Sequence, residues 1–265
     1  MAAVLALPLA RTSRCASQPG WLDAAELARP GNVALCHLLA RHAAWTGSMV
    51  WQAADLRWFH AYAASVVAPA LTGYVLRRRV PDLGLENVRL RFDGRGLPVA
   101  VALLRSRAAE RGRHRSHAAL WLPDDARLLA WLRRRLFDHH LALVAEALTA
   151  VRGLGAGLLW TSVAAACAGV LMRLGRPEYA HEALAAVAKD LFGPGSLIHG
   201  RGYWDEAASP CVRRAICRHQ YRLLGWAACV ACGALSGGPA ANQFQSRRYE
   251  EGRDGRVERL QGAAL

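Results

Sequence analysis

The sequence predicts a mostly helical α+β fold: a single domain with a small antiparallel β-sheet and a carboxy-terminal cysteine segment. Apolar residues recur at helical spacing, or in continuous apolar runs, over 33–42, 53–76, 126–151 and 153–172. Two alternating stretches, 87–92 and 98–104, flank the turn Asp93-Gly94-Arg95-Gly96. Asp-Gly between two such runs is the strongest short-range signal for a hairpin. We therefore place the sheet at residues 87–122, with a third strand over 118–122.

The first helices are bounded by residues that stop a helix. A short helix is predicted over 23–28 and a second over 33–42, separated by Arg29-Pro30-Gly31. The segment 53–76 is continuous enough in apolar residues to lie in the interior, with a boundary or kink expected at Pro69. Residues 105–117 are polar and basic, which predicts a loop.

The second half of the chain carries three further helical patterns. Asp124 and Asp125 stand where helix-initiating carboxylates belong, ahead of 126–151. The uncharged stretch 153–172 is about long enough to span a bilayer. Its glycines and alanines make transfer into lipid only weakly favourable, so we interpret it as a buried core helix. A last helix is predicted over 178–192.

The length of 265 residues allows one substantial core. We predict a flexible leader over 1–20, where proline and glycine occur without periodicity, and one domain over 21–235. Residues 236–265 are rich in Gly, Arg, Gln and Glu with little apolar content, which predicts a disordered tail.

The formal net charge of +14 would attract nucleic acid, an anionic membrane surface or an anionic substrate. Arg77-Arg78-Arg79 and the basic loop lack the interleaved aromatic residues of nucleic-acid binders, so nucleic-acid binding is not expected. The charge is compatible with peripheral membrane association. The apolar stretch 1–10 precedes its basic residues, Arg11 and Arg14, which is not the order of an export signal. A cytoplasmic location is expected.

Seven cysteines are too few for a disulfide scaffold in a chain of this length, and their odd number argues against complete pairing. Four of them lie between residues 211 and 232. Cys229-x-x-Cys232 lets two thiolates approach one metal from a tight turn, and Cys217 lies far enough upstream for the chain to fold back. Cys217, Cys229 and Cys232 are therefore predicted to bind a metal centre.

Three other interpretations of these cysteines stay open at this point. A redox disulfide would normally lie in a βαβ setting, which the sequence does not show. Structural zinc would use Cys217, Cys229, Cys232 and perhaps His219 equally well. The cysteines could also be inert core thiols, as we expect for the isolated residues Cys15, Cys36 and Cys167. His139-His140 is interpreted as a capping or surface pair, because neighbouring helical residues face different directions.

The carboxy-terminal segment contains Arg213-Arg214, the cysteines after them, Tyr221-Arg222-Leu223 and Cys229-x-x-Cys232. This combination resembles the signature of the FhuF-type ferric-siderophore reductases. Weaker similarity extends over about residues 51 to 232, in Tyr62–Leu71, Leu85–Val88, Gly96–Val99 and Leu158–Trp160. The resemblance implies a cytoplasmic reductase with a [2Fe–2S] cluster held by a Cys-Cys pair followed by Cys-x-x-Cys.

This sequence departs from that family pattern at the adjacent cysteine pair, of which only one member is present. If Cys217 is the first cysteine, Arg218 replaces the second; if it is the second, Ile216 replaces the first. Cys211 and His219 are the available substitutes for the fourth ligand. A His ligand would raise the reduction potential of the cluster.

The resemblance implies reduction of Fe(III) in ferric siderophores and release of Fe(II). The expected partners are a ferric siderophore and an electron donor such as a ferredoxin or a reduced flavin or nicotinamide system. Four arginines of the same segment are expected to attract an anionic ferric complex: Arg213, Arg214, Arg218 and Arg222. Two alternatives are a cluster-less or zinc-stabilised siderophore-binding scaffold and a basic nucleic-acid or membrane-surface binder.

Overall fold

The computed structural model describes residues 9–10, 20–29, 31–47, 50–112, 119–174, 181–199, 201–205 and 211–214. Over these residues the chain forms seven α-helices and nine strands. The helices are α1 (Ala24–Leu27), α2 (Val33–Thr46), α3 (Trp51–Arg77), α4 (Asp125–Leu132), α5 (Ala142–Arg152), α6 (Ala156–Leu174) and α7 (His181–Phe192). The strands are β1 (Leu9–Ala10), β2 (Trp21–Asp23), β3 (Arg79–Pro81), β4 (Val88–Phe92), β5 (Pro98–Leu103), β6 (Ala108–Arg111), β7 (Ala119–Leu122), β8 (Gly202–Asp205) and β9 (Cys211–Arg214). The mostly helical α+β class is confirmed.

The predicted hairpin is present as β4 and β5, which pair antiparallel from Val88 opposite Leu103 to Phe92 opposite Pro98. It is the centre of a four-stranded sheet in the order β1-β5-β4-β2. The predicted third strand also forms, as β7, but in a different sheet. There it pairs parallel with β6, inside the stretch predicted to be a loop. The small antiparallel sheet is therefore confirmed at β4 and β5, but residues 87–122 do not form a single sheet: the described residues form three small sheets, two of which also contain a parallel pair.

Helix α3 is the central element of the core. Its buried residues face several directions around the axis, because it packs against α2, α6 and the strands β3 and β5. The predicted boundary at Pro69 is absent, since the helix continues to Arg77. By length and composition α3 could cross a membrane, and 56% of its most apolar window is buried inside the protein. A buried core helix passes the same test, so this is weak evidence for a span.

Helices α3 and α6 lie side by side and run in the same direction. In the first half of each helix, Nδ1 of His60 lies 3.2 Å from the carbonyl oxygen of Ser162. Further along, Ala64 and Ala68 of α3 line one groove with Ala165 and Gly169 of α6, which small side chains permit. The interpretation of 153–172 as a buried core helix is confirmed. The amino-terminal ends of α3 and α6 consequently lie at the same end of the molecule.

The predicted helix 126–151 forms as α4, a nine-residue π-helical segment over Arg133–Leu141, and α5. Four side chains of the π-helical segment are buried: Leu136, Phe137, His140 and Leu141. The interpretation of His139-His140 as a capping or surface pair is therefore wrong for His140, which is completely inaccessible to solvent. The spacing of the apolar residues alone does not distinguish a π from an α turn.

After α7 the chain forms the hairpin β8–β9, which the sequence did not predict. Its register runs from Gly202 opposite Arg214 to Asp205 opposite Cys211, and β9 contacts α6. Cys217, Cys229 and Cys232 lie outside the described residues. The proposed leader 1–20, apart from residues 9–10 and 20, and the proposed tail 236–265 also lie outside them, so the domain limits stay predictions.

Candidate functional site

The hairpin β8–β9 fixes where the cysteine segment begins. Nη1 of Arg201 donates a hydrogen bond of 2.7 Å to the carbonyl oxygen of Gly157, in the first turn of α6. The next residue, Gly202, pairs with Arg214, the last residue described before the cysteines. The part of the predicted segment 211–232 that follows Arg214 and carries Cys217, Cys229 and Cys232, called the cysteine segment from here on, therefore begins beside the amino-terminal end of α6. Cys211 lies at the opposite end of β9.

Within the residues that the structure describes, no group of three or more His, Cys, Asp or Glu side chains could hold a metal ion. Cys36 and Cys167 are free thiols, as expected. Burial raises the pKa of Cys167 to about 12, so this thiol stays protonated and unreactive. The metal site predicted at Cys217, Cys229 and Cys232, with Arg218, His219 and Arg222 around it, lies outside the described residues.

Asp55 and Arg152 form a buried ion pair at the end of the molecule where the cysteine segment begins. Asp55 lies in the second turn of α3, and Arg152 is the last residue of α5, just before α6. Arg152 Nε and Asp55 Oδ2 are 3.3 Å apart, and only 1% of the Asp55 side chain is exposed. Burial raises the pKa of Asp55 to about 6, against the opposing effect of Arg152. A carboxyl group of this kind changes its protonation just below neutral pH.

A second buried polar cluster joins α3 to the π-helical segment. The Tyr62 hydroxyl lies 2.7 Å from Nε2 of His140, and Nδ1 of His140 lies 2.6 Å from the carbonyl oxygen of Leu83. Burial lowers the pKa of His140 to about 4, although its hydrogen bond to Leu83 acts in the opposite direction. His140 is therefore neutral. Since only a carbonyl faces Nδ1, that nitrogen carries the proton and Nε2 accepts from Tyr62.

Arg135 and Asn87 hold the start of the hairpin β4–β5 against the π-helical segment. Arg135 donates from Nε to Asp82 Oδ1 at 2.5 Å and from Nη2 to Glu86. Burial alone would raise the pKa of Glu86, but the hydrogen bonds and charges around it, chiefly those of Arg135, lower it. The Asn87 side chain donates to the carbonyl of Asp82 and accepts from the backbone N–H of Arg105. Glu86 and Asn87, which carry part of the family resemblance, thus have structural roles.

The other end of the hairpin is held by Trp58 of α3. Its Nε1 donates a hydrogen bond of 2.7 Å to the carbonyl oxygen of Gly96, and its ring stacks against Tyr62 and Phe92. Gly96 has φ +74°, and a Cβ atom there would lie 2.6 Å from the carbonyl oxygen of Leu38. Only glycine therefore fits this turn.

Sequence reasoning missed Asp55 and the Tyr62–His140 pair. A single acid in the apolar stretch 53–76 was the available signal for Asp55, because an acid in a buried helix needs a partner. Nothing local pointed to Arg152 as that partner. The pairing of Tyr62 with His140 joins residues 78 positions apart and has no local signature.

The ferric iron reductase FhuF-like transporter family model matches residues 56–196, more than half of the chain, and the match ends before the cysteine segment. No curated protein matches this chain. Among solved structures, aerobactin synthetase IucC from a hypervirulent pathotype of Klebsiella pneumoniae is similar with a TM-score of 0.51, at 15% identity over 69% of this chain and 34% of that chain. Petrobactin biosynthesis protein AsbB from Bacillus anthracis str. Sterne gives 0.50, at 11% identity over 69% and 31%.

This chain matches about a third of the length of those two synthetases, and at such identities the likeness shows the fold alone. The family match is the stronger finding. It covers α3 from Leu56 onward, the hairpin β4–β5, the π-helical segment and the helices through α7, which supply most of the core. The chain therefore belongs to the FhuF-like ferric iron reductase family.

Proposed function

We propose that this protein reduces Fe(III) in ferric siderophores and releases Fe(II) in the cytoplasm, with a [2Fe–2S] cluster bound by Cys217, Cys229 and Cys232. Three thiolates are the donor set that such clusters prefer. One observation carries the proposal furthest: the hairpin β8–β9 brings the start of the cysteine segment to the first turn of α6. The cysteine segment therefore begins next to a helix that belongs to the part of the chain matched by the ferric reductase family.

The chemistry requires one electron for each iron released. Hydroxamate and catecholate oxygens are hard ligands, which bind Fe(III) far more tightly than Fe(II). Reduction therefore releases the metal without breaking a covalent bond in the siderophore. When bound, the cluster supplies single-electron transfer to the docked complex. A ferredoxin, or a reduced flavin or nicotinamide system, would return that electron to the protein.

The hairpin geometry favours His219 over Cys211 as the fourth ligand. Cys211 is held in β9, three residues before Arg214, so its Cα lies roughly 10 Å from the point where the cysteine segment begins. Cys217 follows Arg214 by three residues. The chain would have to reverse direction at once for Cys211 and Cys217 to share a cluster. His219 is only two residues from Cys217 and needs no such reversal.

The length of α3 separates two groups of arginines that could attract an anionic ferric complex. Arg77-Arg78-Arg79 lie at the carboxy-terminal end of α3, whose 27 residues span about 40 Å. The cysteine segment begins at the other end of the neighbouring helix α6. A complex bound at Arg77-Arg78-Arg79 would therefore lie far from the end of β9, after which the cysteines follow. Arg213 and Arg214, at the start of the segment, are better placed, together with Arg218 and Arg222.

A second candidate function is a siderophore-binding scaffold that holds zinc or no metal at all. Two observations favour it: the family match ends at residue 196, before the cysteines, and one cysteine of the adjacent pair is absent. Zinc would accept the same thiolates with His219. The buried core, including the Tyr62–His140 bond, would be unchanged in such a protein.

Anaerobic purification followed by visible absorption and electron paramagnetic resonance separates the two candidates. A [2Fe–2S] protein is coloured and becomes paramagnetic after reduction by dithionite, whereas zinc-bound and metal-free proteins are colourless and silent. The reduced protein should then convert an added ferric siderophore to Fe(II), detected with a ferrous chelator. A colourless protein that still binds the ferric siderophore would favour the scaffold.

A further inference from the structure

Large apolar side chains are exposed where α2 ends and α3 begins. Trp45 is 43% exposed, Val50 44% and Trp51 43%. Most of the other large hydrophobic residues of the described chain are buried in the core. Exposed apolar side chains that cluster, rather than scatter singly, mark a surface that contacts something other than water.

Two arginines lie directly over the ring of Trp45. The guanidinium carbon of Arg95 is 4.8 Å from the ring centroid, and that of Arg57 is 5.3 Å from it. Arg41 is exposed one helical turn before Trp45 in α2. We call Trp45, Val50, Trp51, Arg57 and Arg95 the Trp45 surface. It combines aromatic area with positive charge.

The position of Arg95 is fixed by its turn. Asp93 Oδ1 accepts the backbone N–H groups of Arg95 and Leu97, at 2.9 and 3.0 Å. Gly96 is pinned between Trp58 and the backbone of Leu38. A surface arginine normally loses much conformational freedom when it binds a partner. Here the backbone that carries it is already ordered, which lowers that cost.

The nearby carboxylates are fewer than the arginines around Trp45. Asp93 lies next to the surface and offsets one of the three positive charges of Arg41, Arg57 and Arg95. Asp55 belongs to the same end of α3, but it is buried against Arg152. The Trp45 surface therefore carries excess positive charge on a protein whose formal net charge is already +14.

The shape of the surface distinguishes between possible partners. Trp45, Val50 and Trp51 each leave about two-fifths of their area in solvent, so they protrude rather than line a cavity. Small molecules bind in concave sites that cover most of their surface. Tryptophan is enriched at the level of lipid headgroups, and arginines are attracted to anionic lipids. A broad anionic layer fits a protruding surface of this composition.

We propose that the Trp45 surface docks the protein on a bilayer that contains anionic lipids. The tryptophans enter the headgroup region, while Arg95 and Arg41 contact lipid phosphates. The docking is peripheral and reversible, because only a few apolar side chains of the surface enter the bilayer. The proposal does not depend on the cluster or on ferric reductase activity.

Cosedimentation of the full chain with vesicles tests the proposal. Binding should be strong to equal parts of phosphatidylcholine and phosphatidylglycerol, weak to phosphatidylcholine alone, and reduced by added salt. Arg95→Gln should weaken binding about fivefold, since an arginine near an anionic surface contributes about 1 kcal/mol. Trp51→Ala should weaken it further, and the Trp45→Ala/Trp51→Ala double variant should abolish it.

Matched controls lie at the opposite end of α3. Arg127 is exposed in α4, whose first residue accepts a hydrogen bond from Tyr74 near the end of α3, and Leu120 is exposed in β7. Arg127→Gln and Leu120→Ala should bind vesicles like the unaltered protein. Circular dichroism identifies any variant that fails to fold. If another variant does not fold, vesicle binding by Trp51→Ala decides the test, because Trp51 lies in the exposed first turn of α3.

Three outcomes would overturn the proposal. The first is equal binding to neutral and anionic vesicles, or none to either. The second is an equal loss in Arg127→Gln and Arg95→Gln, which would show a diffuse charge effect. The third is unchanged vesicle binding in the Trp51→Ala variant with lost binding of a ferric siderophore, which would assign the Trp45 surface to the substrate instead.

Discussion

The hydroxyl of Tyr62 donates a hydrogen bond of 2.7 Å to Nε2 of His140, and both residues are completely buried. The bond joins α3 to the π-helical segment. The other ring nitrogen of His140 is bound to the carbonyl of Leu83, so neither nitrogen is left unpaired. This pair therefore fixes the position of the π-helical segment against the central helix, on which the rest of the core is assembled.

Removing the Tyr62 hydroxyl should destabilise the fold. Tyr62→Phe leaves Nε2 of His140 buried without a partner, which costs about 1–3 kcal/mol of unfolding free energy. Urea denaturation measures the change. Tyr74→Phe is the control, because the Tyr74 hydroxyl lies 3.4 Å from its acceptor at Asp125 and is only partly buried. Equal losses in the two variants would contradict the structural role of the Tyr62–His140 bond.

His140 and Asp55 give stability opposite dependences on pH. The pKa of His140 is about 4 when folded and about 6.5 when unfolded, so its stabilising effect is lost as the pH falls from 6.5 towards 4. The pKa of Asp55 is about 6 when folded and about 3.8 when unfolded, so its effect is present at low pH and lost as the pH rises through 6. The two effects partly cancel between pH 4 and 6.

Asp55→Asn should expose the effect of His140. Without the opposing carboxyl group, the unfolding free energy should fall more steeply between pH 6 and pH 4 than in the unaltered protein, by up to about 3 kcal/mol. His140→Gln should make the slope shallower. Denaturation midpoints across this range measure both. A slope that Asp55→Asn leaves unchanged would show that Asp55 has an ordinary pKa.

Gly96→Ala should destabilise the protein by about 2 kcal/mol or more, because it combines a positive φ with a backbone collision. Gly94→Ala, in the same turn, is the matched control, since a Cβ atom there meets nothing within 4 Å. Its effect should stay within about 0.5 kcal/mol. Thermal melting compares the two, and similar melting temperatures would contradict the close contact between Gly96 and Leu38.

The fourth ligand can be tested separately from the other three. His219→Ala should lose iron from the purified protein, whereas Cys211→Ala should retain it, because Cys211 is held at the far end of β9. Iron content after anaerobic purification measures this. Loss of iron only in Cys211→Ala would mean that the chain does reverse after Arg214.

The sequence predicted those elements whose signal is local. The helices followed from apolar spacing and the hairpin β4–β5 from Asp93-Gly94, since both patterns lie within one stretch of chain. Strand β2 has three residues and pairs with β4 about seventy positions away, and no local pattern specifies such a partner. Strands β6 and β7 pair at a separation of only 11 positions, but a parallel pair has no turn signal of the Asp-Gly kind that would predict it.

The candidate site was predictable in its chemistry but not in its surroundings. The cysteine spacing predicted metal binding. The position of that segment beside α6 could not be predicted, because it depends on a hydrogen bond between Arg201 and Gly157, which are 44 positions apart in the sequence. The burial of His140 was missed because a histidine on the apolar face is stable there only with buried partners, and its partners Tyr62 and Leu83 are 78 and 57 positions away. Burial depends on the whole fold, so the partners of Asp55 and His140 became visible only in three dimensions.

Iron and acid-labile sulfide per chain, measured in single cysteine variants, test the proposed cluster most directly. Cys217→Ser, Cys229→Ser and Cys232→Ser should each lose both iron and sulfide together with the resonance signal of the reduced protein. Cys36→Ser should keep them, since Cys36 is a free thiol in α2. Stoichiometric iron and sulfide in all three variants, or none in the unaltered protein, would contradict the account.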